Sequence, residues 1–327
     1  MVNPSRSSKR PPGSGAHIVT LTLSPALDIA TQIPRLCPDA KLRCSEPSYA
    51  PGGGGINVAR AIHTLGGRAL ALFPAGGSTG QHLIELLDAE GVSNQALPIA
   101  DWTRECLNVV ERASAQQYRF IMPGARLSPE EQERLLAALT ALPALDYLVI
   151  SGSLPEGLAA DFLPRVLQGA ARRGARCILD SSGEALRQAL AVGGVYLIKP
   201  NFSELSSLVG QEIAGPQQLA SVAQALVQAG KCETVLVSLG AQGALLVNDG
   251  LSERIPAPTV RRRSTVGAGD SMVAAVTLKL AAGADWRDAA RYGVAAGTAA
   301  IMTEGSELCR RSDTEQLYAW LQAYGGA

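Results

Sequence analysis

The sequence predicts an α/β fold, in which a mainly parallel sheet is covered by helices on both faces and a small second sheet lies beside it. From about residue 145 onwards, apolar strands alternate regularly with helices, a pattern typical of a parallel sheet buried on both sides. Two stretches, 31–50 and 102–122, contain short alternating polar and apolar runs instead, and prolines interrupt the first. We expect them to form a small β lid, and the remaining residues, 16–30, 51–101 and 123–327, to form the α/β domain.

The first regular element is a β-rich run that begins at His17. We expect it to end near Asp28, which would place this carboxylate at the carboxyl edge of a strand. Residues 1–15 are basic and rich in Ser, Pro and Gly, and they lack the apolar stretch of a signal peptide or membrane anchor, so we expect a disordered tail. After the glycine run 52–55, apolar residues at helical spacing predict a helix over 56–65.

In the second half of the chain, each predicted strand ends in a polar residue. The strands are expected at 147–151, 176–180, 195–199 and 234–238, and their last residues are Ser151, Asp180, Lys199 and Ser238. Because parallel strands run in one direction, these side chains should meet at the carboxyl edge of the sheet, where open α/β folds bind ligands. Helices are predicted at the end of the chain over 267–280, 286–302 and 313–324.

Charge and cysteine content exclude several classes of protein. The 29 basic side chains balance the 29 acidic ones, so no overall field would recruit nucleic acid or an anionic membrane, and we expect neither as a partner. The six cysteines are scattered without C-x-x-C spacing, which fits reduced thiols in a cytoplasmic protein. The signatures of P-loop enzymes, dinucleotide-binding folds, α/β-hydrolases and zinc proteases are absent from the sequence.

The strongest candidate for chemistry is the turn Gly267-Ala268-Gly269-Asp270, which directly precedes an apolar helix. Small residues let successive amides point at one anion, and the helix start adds positive potential. Asp270 would be well placed to accept the proton of a hydroxyl that attacks phosphorus. Taken alone, the motif fits a helix cap formed by Asp270 equally well.

A second candidate is the glycine run 52–55 with Asn57. Backbone without side chains can approach sugar hydroxyls closely, and the Asn57 amide can both donate and accept hydrogen bonds. The alternative is a flexible hinge between the sheet and the lid, and the two interpretations are compatible.

A third candidate is the segment Lys199-Pro200-Asn201-Phe202-Ser203-Glu204. Asn201 and Glu204 would share one face of the first helical turn, where they could hold the hydrated Mg²⁺ of a nucleotide, because this ion needs few protein carboxylates. A capping box, in which the two residues close the helix start, fits the local pattern at least as well.

A fourth group offers a carboxylate for sugar hydroxyls and cations for a phosphate. Its members are Asp28, Lys41, Arg43, Arg104 and the turn 151–155. Each cation considered singly would fit a solvated surface position, but their placement on the lid favours an anionic substrate.

In chain order, five motifs together resemble the ribokinase-like, PfkB-type carbohydrate kinases, from about residue 17 to the end. They are T-L-S-P-A-L-D, G-G-G-G-I-N-V-A-R-A, S-G-S-L-P, K-P-N-x-x-E and S-T-V-G-A-G-D-S. Within this family the chain is most similar to the type-2 bacterial 6-phosphofructokinases, through residues 40–44, 101–104, 180–186 and 237–240. Gly54 stands where the related 1-phosphofructokinases and tagatose-6-phosphate kinases usually have lysine.

The resemblance implies a three-layer α/β/α sandwich with a β lid that also forms the contact of a homodimer. It implies a glycolytic reaction, the transfer of the γ-phosphoryl group of ATP to the 1-hydroxyl of fructose 6-phosphate. Asp270 would be the general base, and the amides of Gly267, Ala268, Gly269 and Asp270 would form the anion hole. There are two alternatives to this function. The protein could instead be a kinase of another ketohexose phosphate, tagatose 6-phosphate or fructose 1-phosphate, or it could be a non-catalytic sensor of sugar phosphates.

The same resemblance implies four sets of binding residues. Asp28, Lys41, Arg43, Gly53, Gly54, Asn57, Arg104 and Ser153 would bind the sugar phosphate, and Lys199, Asn201, Ser238, Gly240, Gly243 and Ser264 would bind the nucleotide. Glu204 would serve Mg²⁺, and carbonyl groups near Ser264, Val266, Ala300, Thr303 and Gly305 would form a K⁺ site. The chain departs from the family pattern at Glu307, where a basic residue is expected, and at Ser203, where a lysine is expected.

Overall fold

The protein is described here from a computed structural model, which describes residues 16–303, 305 and 307–324. The disordered tail predicted for residues 1–15 lies outside this range. The described residues form thirteen strands: β1 Ile18–Leu21, β2 Ala26–Ile33, β3 Ser48–Gly52, β4 Leu70–Ala75, β5 Asn94–Pro98, β6 Arg104–Glu111, β7 Gln117–Ile121, β8 Tyr147–Ser151, β9 Arg176–Asp180, β10 Val195–Ile198, β11 Cys232–Ser238, β12 Ala244–Asn248 and β13 Leu251–Ile255.

Within the same part of the chain, ten α-helices connect or follow these strands. They are α1 Gly54–Thr64, α2 Gly77–Ala89, α3 Pro129–Ala141, α4 Phe162–Arg172, α5 Gly183–Val192, α6 Phe202–Val209, α7 Pro216–Gln228, α8 Ala268–Ala281, α9 Trp286–Ala300 and α10 Arg311–Tyr324. None of the helices in the described part of the chain is long and apolar enough to cross a membrane.

The large sheet has nine strands in the order β13-β12-β11-β10-β9-β8-β1-β4-β5. The seven strands from β11 to β5 are parallel, and the hairpin β12–β13 adds two antiparallel strands at one edge. Apolar side chains of α1, α2, α8, α9 and α10 cover one face, and those of α3 to α7 cover the other. This three-layer α/β/α arrangement confirms the predicted fold class.

The small sheet has four strands in the order β3-β2-β6-β7, with β2 and β6 parallel and the outer pairs antiparallel. It begins at Ala26, earlier than the predicted lid boundary at residue 31. Asp28 therefore lies within β2 of the small sheet, where it pairs with Ala50 and Cys106, and the prediction that it ends the first strand was wrong. The reason is a short bend at 22–25, where the chain leaves the large sheet without interrupting the apolar pattern.

Candidate active site

The polar row predicted at the carboxyl edge of the large sheet is present. Ser151, Asp180 and Ser238 end β8, β9 and β11, and Lys199 directly follows β10. Lys199 Nζ lies 3.0 Å from Asp180 Oδ1, and the two side chains are only 6% and 14% exposed. Ser151 Oγ also lies 3.4 Å from Asp180 Oδ2. The row therefore contains a nearly buried ion pair.

The ammonium of Lys199 is held next to the predicted anion hole. A Cβ atom on Gly269 would lie 3.3 Å from Lys199 Nζ, so any larger residue at this position would press on the ammonium group. Burial alone would lower the pKa of Lys199, but the carboxylates of Asp180, Glu204 and Asp270 more than offset it, and the pKa is raised. Lys199 therefore remains a cation beside the turn.

The turn 267–270 starts α8 in the way that the glycines predicted. Gly267 is the residue before the helix and has φ 72°, in the left-handed region that favours glycine. No side chain caps this helix start, which decides against the interpretation of Asp270 as a cap. Instead Asp270 Oδ2 accepts a 2.9 Å hydrogen bond from Asn57 Nδ2 on α1. The Asp270 side chain thus faces α1, the helix that follows the glycine run, across a cleft.

The carboxyl group of Asp270 has a strongly raised pKa. Removal from water is the main cause, the negative charge of Asp180 adds to it, and the pKa moves from 3.8 to about 7. The hydrogen bond from Asn57 and the charge of Lys199 act in the opposite direction. A carboxylate with a pKa near neutrality suits a general base, because it can accept a proton and release it again.

The cleft beside Asp270 has a volume of about 250 Å³ and lies between the small sheet and the starts of α1 and α8. Many of the residues predicted to bind the sugar phosphate or to form the anion hole line it together, namely Asp28, Gly53, Gly54, Asn57, Arg104, Gly267 and Asp270. Lys41 and Arg43 are exposed in the segment 34–47 and do not line this cleft in the single chain. Their role stays a prediction.

Arg104 lines this cleft and contacts three other segments of the chain. Its guanidinium donates to the carbonyl oxygens of Met122 and Ser24, both at 3.2 Å, and lies 3.5 Å from Ser153 Oγ. Its Nε is buried and has no hydrogen-bond partner within the described residues. The guanidinium lines the cleft as a cation, so it would attract an anionic ligand there.

Asp28 is a second buried carboxyl group in the cleft. Burial raises its pKa, although the nearby cations Arg119, Arg60 and Arg104 act to lower it. A partly buried carboxylate surrounded by arginines can accept hydrogen bonds from sugar hydroxyls without repelling a phosphate bound by the cations.

A second cavity, of about 320 Å³, lies on the other side of the turn. The predicted nucleotide residues Ser238, Gly240 and Gly243 line it, as do Ala268 and Gly269. Its remaining wall includes apolar side chains of α8, of α9 and of the segment 257–260, which suits the flat face of a nucleobase. Gly267 and Asp270 line the first cavity and Ala268 and Gly269 line the second, so the turn 267–270 lies between them.

The pair Asn201 and Glu204 forms the capping box that the local pattern allowed. Asn201 Oδ1 accepts from Glu204 N, and Glu204 Oε2 accepts from Asn201 N, both at 2.8 Å. Asn201 is also paired with Ser238 at the edge of the nucleotide-side cavity. No group of three or more His, Cys, Asp or Glu side chains in the described chain is arranged to hold a metal ion. A Mg²⁺ held by one carboxylate and by phosphate oxygens remains compatible with this geometry.

The residues predicted for a K⁺ site form two hydrogen-bonded groups. Ser264 Oγ donates to the carbonyl of Gly305 at 2.8 Å and accepts from Val266 N at 3.1 Å. Thr303 Oγ1 lies 2.7 Å from the carbonyl of Ala300. Because a carbonyl oxygen has two lone pairs, these hydrogen bonds leave it able to bind a cation as well.

Three residues of the site were given no binding or catalytic role from the sequence. Arg119 of β7 lines the cleft, and the alternating pattern of its hairpin could have indicated it. Asp180 was noted only as a polar strand end, although it pairs with Lys199. Arg60 contacts Asn57 from within α1, and no local signal distinguishes it from an ordinary helix residue.

Comparison with known proteins agrees with this geometry. The chain matches the pfkB family carbohydrate kinases over residues 23–313. It is 50% identical over 305 residues to the ATP-dependent 6-phosphofructokinase isozyme 2 of Escherichia coli strain K12, covering 93% of this chain and 99% of that protein.

Two crystal structures of phosphofructokinase-2 from Escherichia coli are also similar, each over 94% of this chain and 99% of that one. The complex with potassium has a TM-score of 0.92 at 50% identity, and the complex with fructose-6-phosphate has 0.90 at 49% identity. The family match spans most of the chain and includes the turn that bears Asp270. The chain therefore belongs to the pfkB family of carbohydrate kinases.

Proposed function

We propose that this protein transfers the γ-phosphoryl group of ATP to the 1-hydroxyl of fructose 6-phosphate. The observation that carries the proposal is the position of the turn 267–270 between two cavities. Asp270 faces the cleft that contains Arg104, and Gly269 faces the cavity whose wall suits a nucleobase. An acceptor hydroxyl in one cavity and a terminal phosphoryl group in the other would meet at this turn.

The residues of the turn divide the reaction between them. The Asp270 carboxylate accepts the hydroxyl proton while the hydroxyl oxygen forms its bond to phosphorus, and the bond between the γ-phosphorus and the ADP oxygen breaks. The amides at the start of α8 and the Lys199 ammonium stabilise the negative charge on the transferred group. The ADP oxygen takes the electron pair of the broken bond and leaves.

The same proposal assigns the ions. Glu204 would hold Mg²⁺, which neutralises phosphate charge when it is bound with the nucleotide. The carbonyl groups of Ser264, Val266, Ala300, Thr303 and Gly305 would hold K⁺ beside the anion hole, although Glu307 differs from the family pattern. We also infer a cytoplasmic location, because all six cysteines are free thiols.

Gly54 supports the choice of sugar. A Cβ atom at this position would lie 2.3 Å from Ser151 Oγ and 2.7 Å from Gly152 N, so this backbone has no room for the lysine of the related kinases. We therefore favour fructose 6-phosphate over tagatose 6-phosphate or fructose 1-phosphate as the acceptor.

The test is a panel of ketohexose monophosphates with MgATP, in which kcat/KM is measured by coupled ADP release. We expect the highest value for fructose 6-phosphate. A much higher value for tagatose 6-phosphate or fructose 1-phosphate would reassign the substrate, and binding of every sugar phosphate without ADP release would indicate a sensor instead of an enzyme.

A further inference from the structure

We infer that Arg60 is a positioning residue for phosphoryl transfer, because it fixes the Asn57 amide in the one orientation that donates a hydrogen bond to Asp270. The inference rests on the proposed function in that Asp270 is taken as the base. Arg60 itself does not line the cleft and does not contact Asp270.

Arg60 lies one helical turn after Asn57 on α1 and is only 13% exposed. Its NH1 group lies 3.5 Å from Asn57 Oδ1 and donates to the carbonyl of Pro51 at 3.0 Å. Its Nε and NH2 groups donate to the two carboxylate oxygens of Glu90, both at 2.6 Å. The guanidinium is therefore anchored on two other sides when it meets the amide.

The chemistry of the neighbours determines which way the Asn57 amide points. A guanidinium can only donate hydrogen bonds, and an ionised carboxylate can only accept them. The amide must therefore turn its oxygen to Arg60 and its NH₂ group to Asp270. In the reverse orientation, the Asn57 oxygen would face the Asp270 carboxylate, which is also an acceptor. The Asn57 NH₂ group would face the Arg60 guanidinium, which is also a donor.

Glu90 extends this arrangement to the protein surface. It follows the last residue of α2, is 37% exposed, and binds Arg60 through both oxygens. Glu90, Arg60, Asn57 and Asp270 thus form a continuous line of polar contacts from the surface to the proposed base. Each contact limits the freedom of the next one.

The protonation of Asp270 reports whether the amide is held. The groups that act on this carboxyl are Asp180 and Asp28, which raise its pKa, and Asn57 and Lys199, which lower it; burial raises it most. If Asn57 no longer donates, the pKa of Asp270 should rise further. The acid limb of the pH profile of kcat/KM should then move to higher pH, an effect that a loss of packing alone would not produce.

The experiment compares Arg60→Met, which keeps an unbranched apolar stem but removes the donors, with Arg60→Lys, which keeps one cationic donor group. The matched control is Arg165→Met, because Arg165 makes an equally bidentate pair with Glu133 on the surface, away from the cleft. Each variant is assayed for kcat, KM and the pH profile, and activity is expressed per folded molecule.

For Arg60→Met we expect kcat to fall about tenfold, with the acid limb shifted upward by about half a pH unit or more. Arg60→Lys should lie between this variant and the parent, and Arg165→Met should match the parent. If Arg60→Met does not fold, Glu90→Gln serves instead, with a smaller change in the same direction expected.

An unshifted acid limb overturns the inference, whether kcat is unchanged or falls, because a purely structural role would leave the protonation of Asp270 alone. The same holds for Glu90→Gln where it replaces the first variant. The parent protein is assayed first with each sugar of the panel, and the best substrate is used throughout. The role of Arg60 is therefore tested even if fructose 6-phosphate proves not to be the preferred substrate.

Discussion

Among single residues, Asp270 is the one whose chemistry can be followed by pH. Its pKa is raised to about 7 by burial and by Asp180, and only the carboxylate form can accept a proton. We expect kcat/KM to rise about tenfold per pH unit below pH 7 and to level off above it. Asp270→Asn should lower kcat by about 10³-fold or more and leave sugar-phosphate binding measurable by calorimetry. A parent profile that stays flat down to pH 5 contradicts this role.

The same raised pKa makes Asp270 a cost to stability at neutral pH. Between its unfolded pKa of 3.8 and its folded pKa of about 7, the folded chain binds one more proton than the unfolded chain, so stability falls as pH rises through this window. The amide of Asp270→Asn does not ionise, so this variant should be more stable than the parent above pH 7 by on the order of 1–3 kcal/mol. Denaturant unfolding at pH 5 and pH 8 measures this, and an equal difference at both values would contradict the expectation.

Asp180 provides a prediction of the opposite sign to that for Arg60. Its negative charge raises the pKa of Asp270, so Asp180→Asn should move the acid limb of kcat/KM to lower pH by about half a unit or more. Because Lys199 would also lose its partner at 3.0 Å, we expect the KM for ATP to rise. A limb that moves upward, or does not move, would show that Asp180 does not act on the base.

Two of the site motifs were equally ambiguous in the sequence and were resolved in opposite ways. Asp270 could have been a cap, and Asn201 with Glu204 could have been a capping box; the structure rejects the first cap and forms the second. The deciding contact for Asp270 comes from Asn57, which is 213 residues away in the chain. Local pattern could identify the residue types, but not a partner brought there by tertiary packing.

At the scale of elements, β8 to β11 of the large sheet were predictable because each is a short apolar run that ends in, or is directly followed by, a polar residue. The assignment of Asp28 failed for a physical reason. Local alternation shows that a strand is present, but not which sheet it joins, and the bend at 22–25 moves the chain from one sheet to the other. The hairpin β12–β13 and helix α3 were not predicted.

The first turn of α1 gives a prediction that belongs to this scale, because it depends on how closely α1 approaches the end of β8. A methyl group at residue 54 would meet Ser151 Oγ at 2.3 Å and the backbone of the following turn at 2.7 Å. Gly54→Ala should therefore displace the helix start and reduce kcat/KM by about tenfold or more. Gly215→Ala, at the start of α7, is the matched control, since no atom lies within 4 Å of its added Cβ.

The result at residue 54 separates two explanations. If both glycine variants keep the activity of the parent, the close approach of α1 to β8 does not matter for the site. If both lose activity to the same extent, the effect comes from glycine in a helix start in general.

At the scale of the whole molecule, the existence of a small second sheet could be predicted, but its arrangement could not. Its two central strands, β2 and β6, are parallel and far apart in sequence, and Arg104 at the start of β6 reaches the chain on either side of the sheet. Pairing over such distances depends on the complete fold, whereas alternation within each strand is local. The lid and the base therefore become neighbours only when both sheets have formed.

The lid also presents apolar side chains to solvent, which fits the homodimer contact that the family resemblance implies for it. Leu36 and Leu42, in the segment between β2 and β3, are 38% and 36% exposed.

Acidic residues at these two positions would place charges in an apolar contact, so Leu36→Glu combined with Leu42→Glu should weaken the dimer by about a hundredfold or more in Kd. Sedimentation velocity over a range of protein concentrations measures this. Trp320→Glu on α10, at a side chain 43% exposed, is the control and should leave the assembly unchanged. A parent chain that sediments as a monomer at all concentrations, or a double variant that assembles like the parent, would show that the contact does not lie on this part of the lid.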